Sequence, residues 1–154
     1  MHDFITTSLI IFLAVLHGRA SRMGTLSMVL LRLPSTVMHE LAHLVAALVT
    51  FAKPDGINII PRRVDCGWIL GSVQCGRLWM LNAFPVGMAP ALINLPLAWW
   101  IFQRHTTAGY IWAFLLVTAA VPSEQDLRVA LSSLVGAGLW IGGLMYAGRY
   151  MLWL

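Results

Sequence analysis

His39-Glu40-Leu41-Ala42-His43 is the constellation in this chain whose residue types and spacing belong to hydrolytic metal chemistry. Histidines four residues apart on a helix project from one face, so both imidazoles can reach one ion, for which zinc is the usual choice. Glu40, next to the first histidine, stands where a general base can take a proton from water activated at the ion. The implied chemistry is hydrolysis. In a competing reading, His39 and His43 only hydrogen-bond between helices and Glu40 pairs with a base such as Arg32. That reading has to accept an ionisable glutamate within an apolar run, at about 3 kcal/mol, without a functional return.

A hydrolytic zinc takes three protein ligands and keeps one position open, so a third ligand has to come from another part of the chain. His2, His17 and His105 lie near the ends of apolar segments, and Asp3, Asp55 and Asp65 fall in terminal or loop positions. Asp126 is better placed by depth. The apolar run Ala108 to Val121 descends about 21 Å at 1.5 Å per residue before Pro122 stops it, a depth similar to that of His43 in its own segment. Ser123-Glu124-Gln125-Asp126 also reads as a capping box that starts a helix, with Glu124 and Arg128 forming an i, i+4 surface pair. Capping and ligation are compatible, and Glu124 remains the alternative ligand.

The elements that must carry these residues are apolar. Of the 154 residues, 59% are hydrophobic and 10% charged, with a mean hydropathy of +0.79. This excludes a disordered tail, a nucleic-acid-binding arm and a charge-coated soluble enzyme. The net charge of +4 is carried by basic residues set singly between apolar runs, which suits anionic lipid rather than nucleic acid. Cys66 and Cys75 have neither the number for a disulfide scaffold nor CxxC spacing.

Five segments follow: Phe4 to Gly18, Thr25 to Phe51, Met80 to Phe102, Ala108 to Val121 and Val129 to Gly148. The first is expected to be a retained helix, because His2 and Asp3 precede it where a signal peptide carries positive charge. Pro34 is expected to kink or restart the second. Pro85, Pro90 and Pro96 make the third irregular, and the fifth reads as a clean span with glycines for close packing. Gly56 to Gly76 reads as a β-hairpin with its turn at Asp65-Cys66-Gly67, on the cytoplasmic side by loop charge. The expected fold is a single all-α polytopic membrane domain over 1–154, with four to five transmembrane helices and a small membrane-associated β-hairpin. The expected location is multi-pass in a prokaryotic cytoplasmic membrane. Trp99, Trp100, Trp112, Trp140 and Trp153 read as interface anchors, and Met23, Met28, Met38, Met80 and Met88 as packing residues.

Together these residues resemble the site-2 protease family of intramembrane zinc metalloproteases. Its pattern is HExxH on one transmembrane helix, a Gly/Ala-Pro-x-x-Asn element on the next and an Asp ligand on a later one. Met38 to His43 supplies the first element, Gly87-Met-Ala-Pro-Ala-Leu-Ile-Asn94 is similar to the second, and Val121-Pro-Ser-Glu-Gln-Asp126 stands in the place of the third. The hairpin falls where the family has a membrane-associated β-element. Three departures stand out: Leu127 follows Asp126 where the family usually has Gly, the small residue before Pro90 is Ala89 rather than Gly, and these 154 residues are expected to hold no PDZ-like or nucleotide-binding domain. The resemblance covers about Pro34 to Val129 and implies zinc on His39, His43 and Asp126, Glu40 as general base, and Asn94 contacting substrate. From the residues alone, Asn94 reads equally well as an interhelical hydrogen-bonding group.

The expected function is hydrolysis of a peptide bond in or near the transmembrane segment of a membrane protein. The substrate strand would be captured along the hairpin edge at Ile57 to Ile60 or Trp68 to Val73. The alternative is a catalytically inactive membrane zinc-binding or assembly protein, for which the carboxylate beside the histidines has no purpose.

Overall fold

The computed structural model describes residues 2–22, 24–64, 67–69 and 71–151. Expectations at Met23, Asp65, Cys66 and Trp153 lie outside the described residues. Helix α1 (His2–Arg19) passes through a 3-10 turn (Ala20–Arg22) into α2 (Thr25–Val49), which carries the HExxH residues. Pro34 lies inside α2, and the helix neither stops nor restarts there. A proline removes one backbone hydrogen bond but leaves the remaining ladder, and the Ser35 hydroxyl donates to the Arg32 carbonyl at 2.9 Å within the same turn. Helix α2 ends in a Schellman-type cap without glycine: Phe51 takes φ 56°, and Ala52 N–H donates to the Ala47 carbonyl at 2.8 Å. That turn sends the chain into the hairpin.

The hairpin forms as expected, but in two ladders. Strand β1 (Pro54–Asn58) pairs antiparallel with β4 (Ser72–Cys75), and β2 (Arg62–Val64) pairs with β3 (Gly67–Ile69). Pro61 sits between β1 and β2, where its missing N–H interrupts the pairing. The third apolar segment breaks at Met88 into α3 (Ala83–Gly87) and α4 (Ala89–Phe102), with Pro90 in the first turn of α4. Helix α5 (Thr107–Ala119) is capped by Thr106, whose hydroxyl accepts from Gly109 N–H at 3.0 Å.

The fifth segment is not one span. Helix α6 (Glu124–Ala130) and α7 (Leu134–Met151) meet at a 90° bend. Two serines make the break. The Ser132 hydroxyl donates to the Val129 carbonyl at 2.7 Å, and the Ser133 hydroxyl accepts from Gly136 N–H at 3.1 Å, starting the new helix. Trp140 then ties α7 back to the loop before α3 by donating Nε1–H to the Leu81 carbonyl at 2.6 Å.

The core is built from small residues. Ala42, Ala46 and Ala47 of α2 are buried against Val86 and Ala89 of α3 and α4, so these backbones approach closely. Among the described residues, no single helix is long and apolar enough to cross a membrane; the bent α6–α7 pair meets that requirement together. Helices α4 and α5 are too short, at 14 and 13 residues, and α2 is interrupted by Arg32 and Glu40.

Candidate metal centre

The two histidines of α2 are held by backbone carbonyls from different elements. His39 Nδ1–H donates to the Ala119 carbonyl at the end of α5, at 2.8 Å, and His43 Nδ1–H donates to the Val86 carbonyl in α3, also at 2.8 Å. A carbonyl can only accept, so each bond puts a proton on Nδ1, and in the neutral imidazole this leaves a lone pair on Nε2. Those two Nε2 atoms face each other at 3.2 Å. The Asp126 carboxylate completes the group, with Oδ2 at 3.2 Å from His39 Nε2 and Oδ1 at 3.1 Å from His43 Nε2.

Three electron-pair donors facing one another repel unless a cation lies among them. A tetrahedral ion with bonds of roughly 2.0 to 2.1 Å has ligand separations of about 3.3 Å, close to the 3.2 Å between the two Nε2 atoms and to the 3.1–3.2 Å at which the carboxylate sets one oxygen against each of them. The Nδ1–H bonds to carbonyls are the outer supports that metal-bound histidines characteristically have. His39, His43 and Asp126 therefore form a group that could hold a metal ion.

Asp126 serves two purposes. It is the N3 residue of α6, and its Oδ2 accepts from Ser123 N–H at 2.6 Å while its own N–H donates to Ser123 Oγ at 3.2 Å. The capping box expected from the sequence thus aims the carboxylate at the histidines. Glu124, the alternative ligand, instead pairs with Arg128 at 2.6 Å on the exposed side of α6. His105 lies near the Tyr110 hydroxyl at the exposed α4–α5 turn, and His17 packs edge-on to Phe114; neither joins the metal group.

The approach of α6 depends on Gly87. A Cβ there would lie 2.5 Å from the Asp126 carbonyl oxygen and 2.6 Å from Ala130 N, both backbone atoms that cannot turn aside. Gly87→Ala is therefore expected to move α6 outward and to weaken metal affinity by roughly tenfold to a hundredfold, the range seen for supporting groups around metal ligands. A zinc titration of the purified variant checks this, and an unchanged Kd would mean that the helix pair absorbs the methyl without moving Asp126.

Glu40 is buried at 6% exposure and lies on the boundary of two cavities. The smaller, about 540 Å³, contains all three candidate ligands; the larger, about 1240 Å³, shares His39 and Glu40 with it. Gly71, just before β4, approaches Glu40 so closely that a Cβ would fall 2.7 Å from Glu40 Cγ. Residues Gly71 to Gln74 line both cavities, so one arm of the hairpin runs beside the carboxylate.

Asn94 is not brought to this site. It is buried at 3% exposure with Nδ2 lacking a hydrogen-bond partner, and it lines neither cavity. Three residues separate Pro90 from Asn94, one more than in a Pro-x-x-Asn element, so the resemblance carries no role to Asn94 by position. Cys75 is half-buried against the Ala42–Val86 cluster, and burial together with Asp55 pushes its thiol pKa up, which keeps it protonated and poorly reactive at neutral pH.

The Ala119 and Val86 carbonyls and the Gly87 contact were not anticipated, since backbone acceptors leave no residue signature. Asn82, also missed as a positioning residue, is buried. It accepts from Trp79 N–H at 2.8 Å and donates to the Arg77 carbonyl at 3.0 Å, fixing the turn that leads into α3. Comparison with protein-family profiles, curated proteins and solved structures returned no match to this chain.

Proposed function

We propose that this chain is an intramembrane zinc metalloendopeptidase, hydrolysing a peptide bond in or near the transmembrane segment of a membrane protein. The observation that carries the reading is the His39–His43–Asp126 triangle with the Glu40 carboxylate beside it at the meeting of two cavities. Zinc is favoured by the donor set, two imidazoles and one carboxylate, and by the HExxH spacing. When bound, it would supply Lewis acidity toward a carbonyl and lower the pKa of a water.

The chain's own groups do the rest. His39, His43 and Asp126 fix the donor geometry, and their outer bonds keep both imidazoles in the ligating tautomer. Glu40 takes a proton from the attacking water on its carboxylate and returns it to the departing amide nitrogen. The buried setting of Glu40 keeps bulk water from competing for that proton. A purely metal-binding membrane protein would use the same three ligands but has no task for Glu40.

Membrane location is supported by the apolar surface. Phe51 is 82% exposed and Leu134 76%, and Trp99, Trp100 and Met145 are exposed with them. Helix α2, at 25 residues, is about 37 Å long at 1.5 Å per residue, which exceeds the hydrocarbon thickness; its ionisable face would line the cavities rather than meet lipid.

A helical substrate hides its carbonyls, so it has to be extended before attack. The side of β4 toward Glu40 is the candidate edge, because β1 occupies the other side with Ile57 opposite Val73. Val73→Pro should lower kcat/KM for a reporter transmembrane peptide by about tenfold through lost strand pairing, with zinc content unchanged. Cleavage at the wild-type rate would remove strand addition on β4 from the mechanism.

The test of the whole reading is zinc content and cleavage measured on the same detergent-purified sample. One zinc per chain together with specific cleavage supports it. Stoichiometric zinc without cleavage of any of several reporter membrane peptides would favour the binding protein, and absence of zinc binding would return His39 and His43 to helix packing.

A further inference from the structure

The smaller cavity follows β4 from the metal group toward the root of the hairpin. Beside that group its wall is aliphatic at Val73, Leu78, Val86 and Val129, and Asp55 of β1 lines it as well. Asp55 is the extra residue of a bulge: Pro54 pairs with Cys75 and Gly56 with Gln74, so no β4 residue stands opposite it. A bulge re-aims the side chain it carries. Here the carboxylate leans across the ladder onto Gly76, where a Cβ would lie 2.5 Å from Asp55 Oδ2. It forms no hydrogen bond or ion pair with any described residue, and among the described residues no lysine or arginine lines this cavity. The proposed hydrolysis leaves Asp55 without a task.

Two lengths place this carboxylate relative to the metal group. Along the hairpin, Gly71 packs on Glu40 and Cys75 follows it by four residues, about 13 Å at 3.3 Å each. Along α2, His43 precedes Ala52 by nine residues, again about 13 Å at 1.5 Å each. Asp55 therefore sits at the end of α2, about four extended residues from the reacting centre. We infer that the smaller cavity is a substrate subsite ending at Asp55, which binds a lysine or arginine about four residues from the cleaved bond. This rests on the protease reading and names its substrate class: the junction between an apolar transmembrane segment and its basic flank.

The physical reason lies in the substrate. Apolar side chains discriminate weakly, so a strand drawn from a transmembrane segment has little to set its register. Lysine and arginine gather at the ends of such segments, with their stems on apolar surface and their charges at headgroup level. With α2 across the membrane, the end that carries Asp55 lies at that same level. A basic residue paired with Asp55 would lay the apolar residues beside it along Val73, Leu78 and Val86, and bring the bond about four residues away to Glu40.

The probes are short apolar peptides bearing a hydroxamate, which grips a protein-bound zinc whether or not catalysis occurs. Two series carry Lys or Gln at successive positions before or after the hydroxamate, and Kd is measured by fluorescence polarisation on the zinc-loaded full chain in neutral detergent. In one series, Lys at about the fourth residue should bind roughly three- to fivefold more tightly than Gln, the range of a solvent-exposed ion pair, with the preference fading two residues to either side. Asp55→Asn should abolish the preference while leaving the Kd of the Gln peptide unchanged, which also shows that the variant is folded. Asp55→Lys should turn the preference to Glu over Gln at the same position.

Equal Kd for Lys and Gln peptides at every position overturns the subsite and leaves the protease reading intact. A preference for Lys that survives Asp55→Asn assigns the cation to another carboxylate and overturns the subsite as well. Failure of every hydroxamate to bind overturns the metal-site reading, and the subsite with it.

Discussion

Asp126→Ala should lose zinc affinity by roughly a hundredfold or more, and cleavage with it. Zinc binding of about 10 to 16 kcal/mol spread over four positions gives some 3 kcal/mol per ligand, or roughly two powers of ten in Kd. The difficulty is that Asp126 also closes the capping box of α6, through its 2.6 Å bond from Ser123 N–H. Loss of that cap costs about 1 kcal/mol and could loosen α6 with no metal involved. Ser123→Ala separates the two roles, since it removes the hydroxyl that accepts from Asp126 N–H at 3.2 Å and leaves the carboxylate in place. It should lower stability modestly and keep zinc. Glu124→Gln should change neither, because Glu124 is engaged with Arg128 on the exposed face. If Ser123→Ala loses as much zinc as Asp126→Ala, the carboxylate matters as a cap and not as a ligand.

What the sequence made legible at this site was what is local. His39, Glu40 and His43 lie within one helical turn and a residue, so spacing alone placed both imidazoles on one face. Asp126 was legible for two separate reasons, the Ser-x-x-Asp cap signature and the scarcity of other carboxylates at depth, and a single orientation satisfies both. The hairpin was legible from its β-branched residues and turn chemistry, though Pro61 divides it into two ladders. The supports of the centre were not legible. The Ala119 and Val86 carbonyls belong to elements far from α2 in the chain, and any residue could have supplied them. The break between α6 and α7 did leave a sign, the Ser132-Ser133 pair, but within an apolar run two serines resemble the small-residue packing positions that follow them. Asn94 had its role from the resemblance alone, and it is buried and lines neither cavity.

Glu40→Gln should abolish cleavage while leaving zinc bound, and it should not destabilise the fold. General-base catalysis contributes about 10² to 10⁴ in rate, so kcat should fall by on the order of a thousandfold, to the background of the assay. Zinc should remain because Glu40 is outside the group formed by His39, His43 and Asp126, and glutamine preserves the volume beside Gly71. The stability argument is independent of both. A carboxylate at 6% exposure loses hydration on folding, whereas an amide of the same shape loses less, so Gln at this position should hold Tm level or raise it. A residue kept for packing or for an ion pair would behave in the reverse way, with Tm falling and activity spared. Zinc content, cleavage rate and Tm on one preparation thus give three signs that only a catalytic carboxylate combines: metal retained, rate lost, stability kept. Normal cleavage by Glu40→Gln would end the general-base assignment even if all three ligands were confirmed, and the metal centre would then require another proton acceptor or another function.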